Sequence, residues 1–139
     1  HRSHYHALLK GIPPEWLKAE ILAGHSITIN NAAHHFFSSA IVGGILPIAV
    51  GVAMTGQRVW VFCGDMASRC GIFEECVNYA VHLKLDIHFV IEDNGLSVRS
   101  PTVEVMGIDK RKWDKARVIH YQYINHYPHQ GSSDKWIVF

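Results

Sequence analysis

The strongest constraint on the fold is a pair of apolar runs, each of which ends at a polar side chain. The first run covers residues 58–65 and ends at Asp65, and the second covers residues 86–94 and ends at Asn94. Between them, residues 71–83 have the pattern of a helix. Strands that alternate with helices indicate a parallel sheet, and ligands of open parallel sheets bind at the carboxyl ends of the strands. The pattern predicts an α/β fold, a parallel sheet flanked by helices, with both polar residues at the ligand-binding edge.

These two polar residues have the chemistry of magnesium ligands. Mg²⁺ prefers six oxygen atoms in octahedral geometry, and it is usually held by one or two carboxylates together with phosphate oxygens. Asp65 and Asn94 would supply part of that shell, and a diphosphate would complete it. The alternative is structural: Asp65 caps the following helix, and Asn94-Gly95 is only a turn. The residue types alone leave both interpretations open.

The spacing resembles the signature of thiamine diphosphate-dependent enzymes, in which Gly-Asp-Gly opens the motif and Asn-Asn closes it. Gly64-Asp65-Met66 stands in the first place and Asp93-Asn94 in the second, so that Met66 and Asp93 depart from the family pattern. The helix residues that resemble alpha subunits of 2-oxo acid dehydrogenases, such as pyruvate dehydrogenase, are Gly71, Phe73, Glu75, Asn78 and Ala80.

The resemblance extends upstream of this motif. Residues 2–20 are similar to the family segment that brings a histidine to the diphosphate, and residues 40–51 are similar to the loop and helix beneath the aminopyrimidine. The similar segments cover roughly residues 1–105 in the family's order. The resemblance implies that residues 1–139 are one thiamine diphosphate-binding domain, an incomplete part of a longer alpha subunit.

The resemblance also implies roles for individual residues. Mg²⁺ would be bound by Asp65, by Asn94 and by the backbone carbonyl of Leu96. The residues implied in cofactor binding are His4, Ala40, Val42, Gly64, Asp65, Met66, Ala67, Asn94 and Leu96.

Eleven histidines offer further candidates. His25, His34 and His35 lie in a segment that closes over the active site in the family, so they are candidate catalytic residues for substrate contact or proton transfer. The alternative for at least two of them is a solvated loop. A zinc site is less favoured, because adjacent His34 and His35 diverge on an extended chain. His4 and His6 would share a face of a strand, but no carboxylate or cysteine accompanies them.

By this resemblance the chain is the thiamine diphosphate- and Mg²⁺-binding subunit of an oxidoreductase that decarboxylates a 2-oxo acid. The glutamate that activates the cofactor comes from a pyrimidine-binding domain, which belongs to the beta subunit in such enzymes. No such domain is visible, so the chain alone is expected to be inactive. A beta-type subunit would complete a heterotetramer, and a lipoyl-bearing acyltransferase component would take the product. The alternatives are a transketolase-like carboligase subunit or a non-catalytic cofactor-binding remnant.

Composition argues against several other classes. The net charge of +1 does not create a strong electrostatic field that would attract nucleic acid or an anionic membrane. The longest apolar stretch, residues 40–54, is shorter than the roughly 20 residues of a spanning helix. Three cysteines without a Cys-x-x-Cys spacing favour a reducing cytoplasm.

The remaining pattern predicts further elements and surfaces. Helices are predicted at about 13–23 and 40–55, loops at 24–39 and 97–109, and strands at 118–124 and 135–139. The basic run 110–112 is interpreted as solvated surface, and the tryptophans are interpreted as packing residues.

Overall fold

This computed structural model describes residues 2–124. They form two compact units, which meet in the sequence between Val42 and Gly43. Each unit has its own apolar core. A single cofactor-binding domain over residues 1–139 therefore stays a prediction, and the strand predicted at 135–139 lies outside the described residues.

The first unit combines two helices with a short hairpin. Helix α1 covers Arg2–Leu9, and helix α2 covers Pro14–Leu22. Strands β1 (Asn30–Asn31) and β2 (Phe36–Phe37) pair in antiparallel fashion around a 3-10 turn at Ala32–His34. The buried residues that join these elements are Ala7, Ile12, Leu17 and Ile29.

The sequence located α2 but not α1. The prediction that His4 and His6 share a face of a strand is wrong, because both lie in α1. Residues two apart on a helix point to nearly opposite sides, since each residue turns the helix by about 100°. The predicted loop at 24–39 is largely irregular, apart from the two-residue strands β1 and β2.

The second unit is built on a parallel sheet. Strands β3 (Val59–Gly64) and β4 (Ile87–Asp93) pair in parallel, and an antiparallel hairpin of β5 (Leu96–Ser97) and β6 (Ser100–Pro101) follows. Strand β7 (Val118–Gln122) then pairs in parallel with β4, which makes β4 the central strand of three. The α/β prediction and the three predicted strands of this sheet are confirmed.

Helices α3 (Ile45–Met54) and α4 (Gly71–His82) share the main core with the sheet. Each buries residues spaced i, i+3, i+4, i+7, which is the apolar stripe of an amphipathic helix. The two stripes are Leu46, Ala49, Val50 and Ala53, and Phe73, Cys76, Val77 and Ala80. The sheet residues that meet them are Val61, Cys63, Ile87, Phe89, Ile91 and Val118.

Helix α3 begins five residues later than the predicted start at residue 40. Gly43 has a φ of +74°, which a right-handed helix does not contain. A Cβ at Gly43 would lie 2.8 Å from Cγ2 of Ile72. The close approach of Ile72 and the positive φ explain why the chain turns here before the helix starts.

The predicted loop at 97–109 contains a helix that the sequence analysis missed. Helix α5 covers Thr102–Met106, directly after β6. Pro101 precedes it with a φ of −63°, and Gly107 follows it with a φ of +72°. A proline just before a helix and a glycine just after it are ordinary start and stop signals, but five residues are too few for a periodic pattern to emerge.

None of the helices within residues 2–124 has the length and apolarity of a membrane span.

Candidate cofactor and metal site

A cavity of about 540 Å³ lies at the carboxyl ends of the three parallel strands. Five of the residues that line the cavity lie at these strand ends. Asp65 follows β3, Asp93 ends β4 and Asn94 follows it, and Gln122 ends β7 and Tyr123 follows it. Thr102, Val103, Gly107, Ile108 and Asp109 also line the cavity. The structure therefore brings Asp65 and Asn94 to one cavity, at the edge of the sheet where the pattern of strands predicted a ligand.

Asp65 does not act as a helix cap. Helix α4 begins after Cys70, and no side chain caps it. The Asp65 side chain is 5% exposed, and its Oδ2 accepts a hydrogen bond from Oγ1 of Thr102 at 2.5 Å. The backbone carbonyl of Asp65 accepts one from Oγ of Ser68 at 2.6 Å. The capping alternative is therefore wrong, and the carboxylate lies buried at the wall of the cavity.

Asn94 forms the turn that the structural alternative predicted. Its Oδ1 accepts a hydrogen bond from the backbone N–H of Leu96 at 3.2 Å, and Gly95 between them has a φ of +73°. An amide oxygen has two lone pairs, so this bond leaves acceptor capacity. The turn and a ligand role are compatible, because Asn94 lines the cavity as well.

The other residues implied near the diphosphate surround Asp65 in the chain. Gly64 ends β3, and Ala67 begins the 3-10 turn Ala67–Arg69. Leu96, like Gly64, Met66 and Ala67, is not among the residues that line the cavity. It pairs with Pro101 in the β5–β6 ladder, and its carbonyl receives no hydrogen bond from that partner because proline has no N–H.

Met66 occupies the position where the family has its second glycine. Its φ of −68° and ψ of −35° lie in the ordinary right-handed helical region. Any L-residue adopts this conformation without strain. The replacement of glycine by Met66 therefore carries no backbone penalty in this chain.

Asp93, the second departure from the family pattern, is an acceptor for three donors. Its Oδ1 accepts a hydrogen bond from the N–H of Gly95 at 2.9 Å. Its Oδ2 accepts from Nε2 of His120 at 2.8 Å and from Nε2 of Gln122 at 3.1 Å. Burial raises the pKa of Asp93, but these hydrogen bonds outweigh it and hold the pKa below its ordinary value. Asp93 thus links the end of β4 to β7.

Restoring the family residue with Asp93→Asn is expected to destabilise the chain by about 1–2 kcal/mol. Asparagine has one acceptor oxygen, so it cannot accept the hydrogen bond from Gly95 at one oxygen and those from His120 and Gln122 at another. Urea unfolding at pH 7 would measure this loss. Because the folded pKa of Asp93 is depressed, its contribution is full above the unfolded pKa and disappears as the pH falls through the folded value. An Asp93→Asn chain that is as stable as wild type at pH 7 would contradict this account.

A cluster of ion pairs at the rim of the cavity was missed by sequence reasoning. Arg69, whose side chain is 11% exposed, pairs with Asp109 at 2.8 Å and donates to the carbonyls of Met106 and Gly107. Arg111 binds both oxygens of Asp109 at 2.9 and 2.7 Å and donates to the carbonyl of Ser68 at 2.8 Å. The interpretation of Arg111 as solvated surface is therefore wrong.

These arginines hold the residues after α5 against the end of β3. Hydrogen bonds from Arg111, opposed by burial and reinforced by Arg69, hold the pKa of Asp109 well below its usual range. Arg111 also lies over the ring of Trp113, with its guanidinium carbon 4.4 Å from the ring centroid. Arg69 lies 40 positions from Asp109, and Arg111 lies 43 positions from Ser68, so no local pattern could have indicated these contacts.

The charge of the cavity wall is acidic. Asp65, Asp93 and Asp109 contribute three carboxylates. Asp109 is paired with Arg69 and Arg111, and Asp93 accepts from His120, so the Asp65 carboxylate is the one that makes no ion pair within residues 2–124. A diphosphate anion alone would be repelled by this wall, whereas a divalent cation would be attracted. Within residues 2–124 no three His, Cys, Asp or Glu side chains are grouped for a metal ion. A site of one carboxylate, one amide and one carbonyl would not form such a group.

The implied histidine of the diphosphate site, His4, lies in the first unit. Its Nε2 donates to the carbonyl of Ser26 at 2.6 Å. Burial lowers the pKa of His4, and the hydrogen bond to Ser26 offsets part of that change. Ala40 and Val42 lie in the irregular segment before the boundary of the units, and both are exposed. The roles implied for these three residues stay predictions.

The three candidate catalytic histidines also belong to the first unit. His25 donates through Nδ1 to Oε2 of Glu20 at 2.8 Å, and it is largely exposed. His34 contacts Oδ1 of Asn31 through its backbone N–H at 3.1 Å and through Nδ1 at 3.0 Å. His35 has a left-handed φ of 49° after the 3-10 turn. Their catalytic role stays a prediction.

Comparison with curated proteins identifies the family. The chain is 34% identical over 117 residues to the pyruvate dehydrogenase E1 component subunit alpha of Porphyra purpurea, covering 68% of this chain and 34% of that protein. It is 32% identical over 111 residues to the alpha subunit of acetoin:2,6-dichlorophenolindophenol oxidoreductase from Cupriavidus necator, covering 68% and 33%. The chain contains a partial E1 alpha-like domain.

A second acetoin oxidoreductase alpha subunit, from Bacillus subtilis, is 32% identical over 117 residues, which cover 73% of this chain and 35% of that protein. No protein-family profile matches the chain. The E1 alpha-like chain spans about a third of the length of the relatives it matches. The family and the α/β fold expected from the motif at Asp65 and Asn94 are confirmed.

Proposed function

We propose that this E1 alpha-like chain binds thiamine diphosphate through Mg²⁺ in the cavity at the carboxyl ends of β3, β4 and β7. The observation that carries the proposal is the joint position of Asp65 and Asn94 on one acidic cavity wall. Oxygen donors of this kind suit Mg²⁺, which prefers carboxylate, carbonyl and phosphate oxygens. The relatives, which are alpha subunits of pyruvate dehydrogenase and of acetoin oxidoreductase, support the choice of cofactor.

Different residues of the chain would bind the metal ion and the phosphates of the cofactor. Asp65 and Asn94, which line the cavity, would bind Mg²⁺, and the metal would offset the charge of the diphosphate. The family resemblance adds the carbonyl of Leu96, which lies outside the cavity lining, as a third ligand. The backbone of Gly64, Met66 and Ala67 would lie beside the phosphates. When bound, thiamine diphosphate supplies the electron sink that decarboxylation of a 2-oxo acid requires.

The chain would act as one subunit of a 2-oxo acid dehydrogenase. A beta-type subunit would supply the activating glutamate, and a lipoyl-bearing acyltransferase component would take the acyl group. The names of two relatives favour acetoin as a second candidate substrate. None of the three cysteines, Cys63, Cys70 and Cys76, forms a disulfide bond, which favours a reducing compartment such as the cytoplasm.

Calorimetric titration of thiamine diphosphate, with Mg²⁺ and then with EDTA, tests the proposal. Binding is expected only with Mg²⁺, because the acidic wall repels the bare diphosphate. Equal binding in EDTA would contradict the metal-bridged arrangement, and a folded chain that fails to bind in Mg²⁺, alone and with a beta-type subunit, would overturn the proposed function.

The enzymatic part of the proposal has its own test. The chain is mixed with a beta-type subunit, and CO₂ release from pyruvate is compared with oxidation of acetoin. Turnover is expected only in the mixture. Turnover by the single purified chain would contradict the expected dependence on a partner subunit.

A further inference from the structure

Thr102 connects the ends of two strands of the site, β3 and β4. Its side chain donates to Oδ2 of Asp65 at 2.5 Å, beyond the end of β3. Its backbone N–H donates to the carbonyl of Gly95 at 2.9 Å, in the turn after β4. Thr102 is 6% exposed and begins α5, so packing and helix geometry hold it in place. One residue therefore fixes the Asp65 carboxylate and the turn that contains Asn94.

The hydroxyl of Thr102 makes the two carboxylate oxygens of Asp65 inequivalent. Within residues 2–124, the Asp65 carboxylate accepts a hydrogen bond from Thr102, and it accepts that bond at Oδ2. A hydrogen bond from a hydroxyl group to a carboxylate oxygen restrains rotation of the carboxylate. Each carboxylate oxygen has two lone pairs, and the bond from Thr102 uses one of those on Oδ2, which weakens the donation of Oδ2 to a cation. Oδ1 is then the better oxygen of Asp65 for a cation in the cavity.

Coordination through one oxygen suits Mg²⁺ better than Ca²⁺. Mg²⁺ requires near-octahedral geometry at about 2.0–2.1 Å, whereas Ca²⁺ takes six to eight oxygens at about 2.3–2.6 Å and often binds a carboxylate through both oxygens. On the basis of the proposed function, we infer that Thr102 is a specificity-determining residue. Its hydrogen bond to Oδ2 leaves Oδ1 as the preferred metal ligand of Asp65, and this favours Mg²⁺ over Ca²⁺ at the cofactor site.

Removal of the hydroxyl tests this inference. Thr102→Val keeps the shape of the side chain, and Thr102→Ala removes the hydroxyl without adding a methyl group. Thr102→Ser keeps the hydroxyl and is the matched control. Apparent affinities for thiamine diphosphate are measured by calorimetry with Mg²⁺ and with Ca²⁺. The Mg²⁺-to-Ca²⁺ affinity ratio is expected to fall about tenfold in the two variants that lack the hydroxyl, and to stay within about twofold of wild type in Thr102→Ser.

The outcomes separate this inference from the proposed function. Loss of affinity in equal proportion for both metals would make Thr102 a purely structural residue and overturn the inference. An unchanged ratio would do the same, while the proposed function would stand. Absence of metal-dependent binding in the folded wild-type chain, both alone and with a beta-type subunit, would overturn both. Urea unfolding of each variant identifies any chain that does not fold, and Thr102→Ala then replaces Thr102→Val in the comparison.

Discussion

Asp65→Asn is expected to weaken Mg²⁺-dependent binding of thiamine diphosphate by at least about 100-fold, because loss of even a supporting partner of a metal ligand costs 10–100-fold. Asparagine preserves the size of the side chain and keeps an oxygen that can accept from Thr102. It removes the negative charge that an acidic cavity wall would offer to Mg²⁺. The fold should therefore survive while the binding is lost.

Asp86→Asn is the matched control for this variant. Asp86 immediately precedes β4, at the opposite end of the strand from Asn94, and its exposed side chain pairs with Arg58 at 2.8 Å. Exposed ion pairs contribute little to stability, so neither binding nor folding should change. Calorimetry at one Mg²⁺ concentration compares both variants with wild type. Equal affinities of Asp65→Asn and Asp86→Asn for thiamine diphosphate would show that Asp65 is not part of the site.

Phe73→Ala is expected to lower the free energy of unfolding by about 3–5 kcal/mol. Phe73 is fully buried in α4, and its ring makes edge-to-face contacts with Phe89 of the central strand and with Trp113. The ring centroids lie 5.7 Å and 5.1 Å away, respectively. Truncation would leave a cavity between helix and sheet that the surrounding residues cannot fill without moving.

Tyr79→Ala on the same helix is the control for Phe73→Ala. Tyr79 is 54% exposed, so its truncation should cost no more than about 1 kcal/mol. Urea unfolding gives both values. If Phe73→Ala does not fold, Phe73→Leu should still show a loss of roughly 1–2 kcal/mol. Equal losses at positions 73 and 79 would contradict the assignment of the core face of α4.

The sequence was sufficient where local pattern and tertiary structure agree. Strands β3 and β4 and helix α4 have long apolar patterns with distinct periods, and the polar residues Asp65 and Asn94 mark the ends of the strands. The motif that these residues form also identified the family. Each of these signals is contained within about thirty residues of chain.

The contacts that shape the cavity could not be predicted in this way. Thr102 reaches Asp65 across 37 positions, and Arg111 reaches Ser68 across 43. Such contacts depend on how the residues after β4 fold back over the sheet, and no periodic pattern encodes that path. Helix α5 was missed for a related reason, because its five residues are held by Pro101, Gly107 and the bond to Asp65 rather than by an apolar stripe.

Titration of Mn²⁺, a paramagnetic substitute for Mg²⁺, into the ¹⁵N-labelled chain with thiamine diphosphate tests the central claim most directly. Backbone amide signals of Asp65, Met66, Asn94 and Gly95 are expected to broaden first, because Asp65 and Asn94 are proposed ligands and Met66 and Gly95 follow them in the chain. Excess Mg²⁺ should reverse the broadening. Broadening confined to the amino ends of the same strands, or to the histidine-rich segment 25–35, would contradict the proposed site.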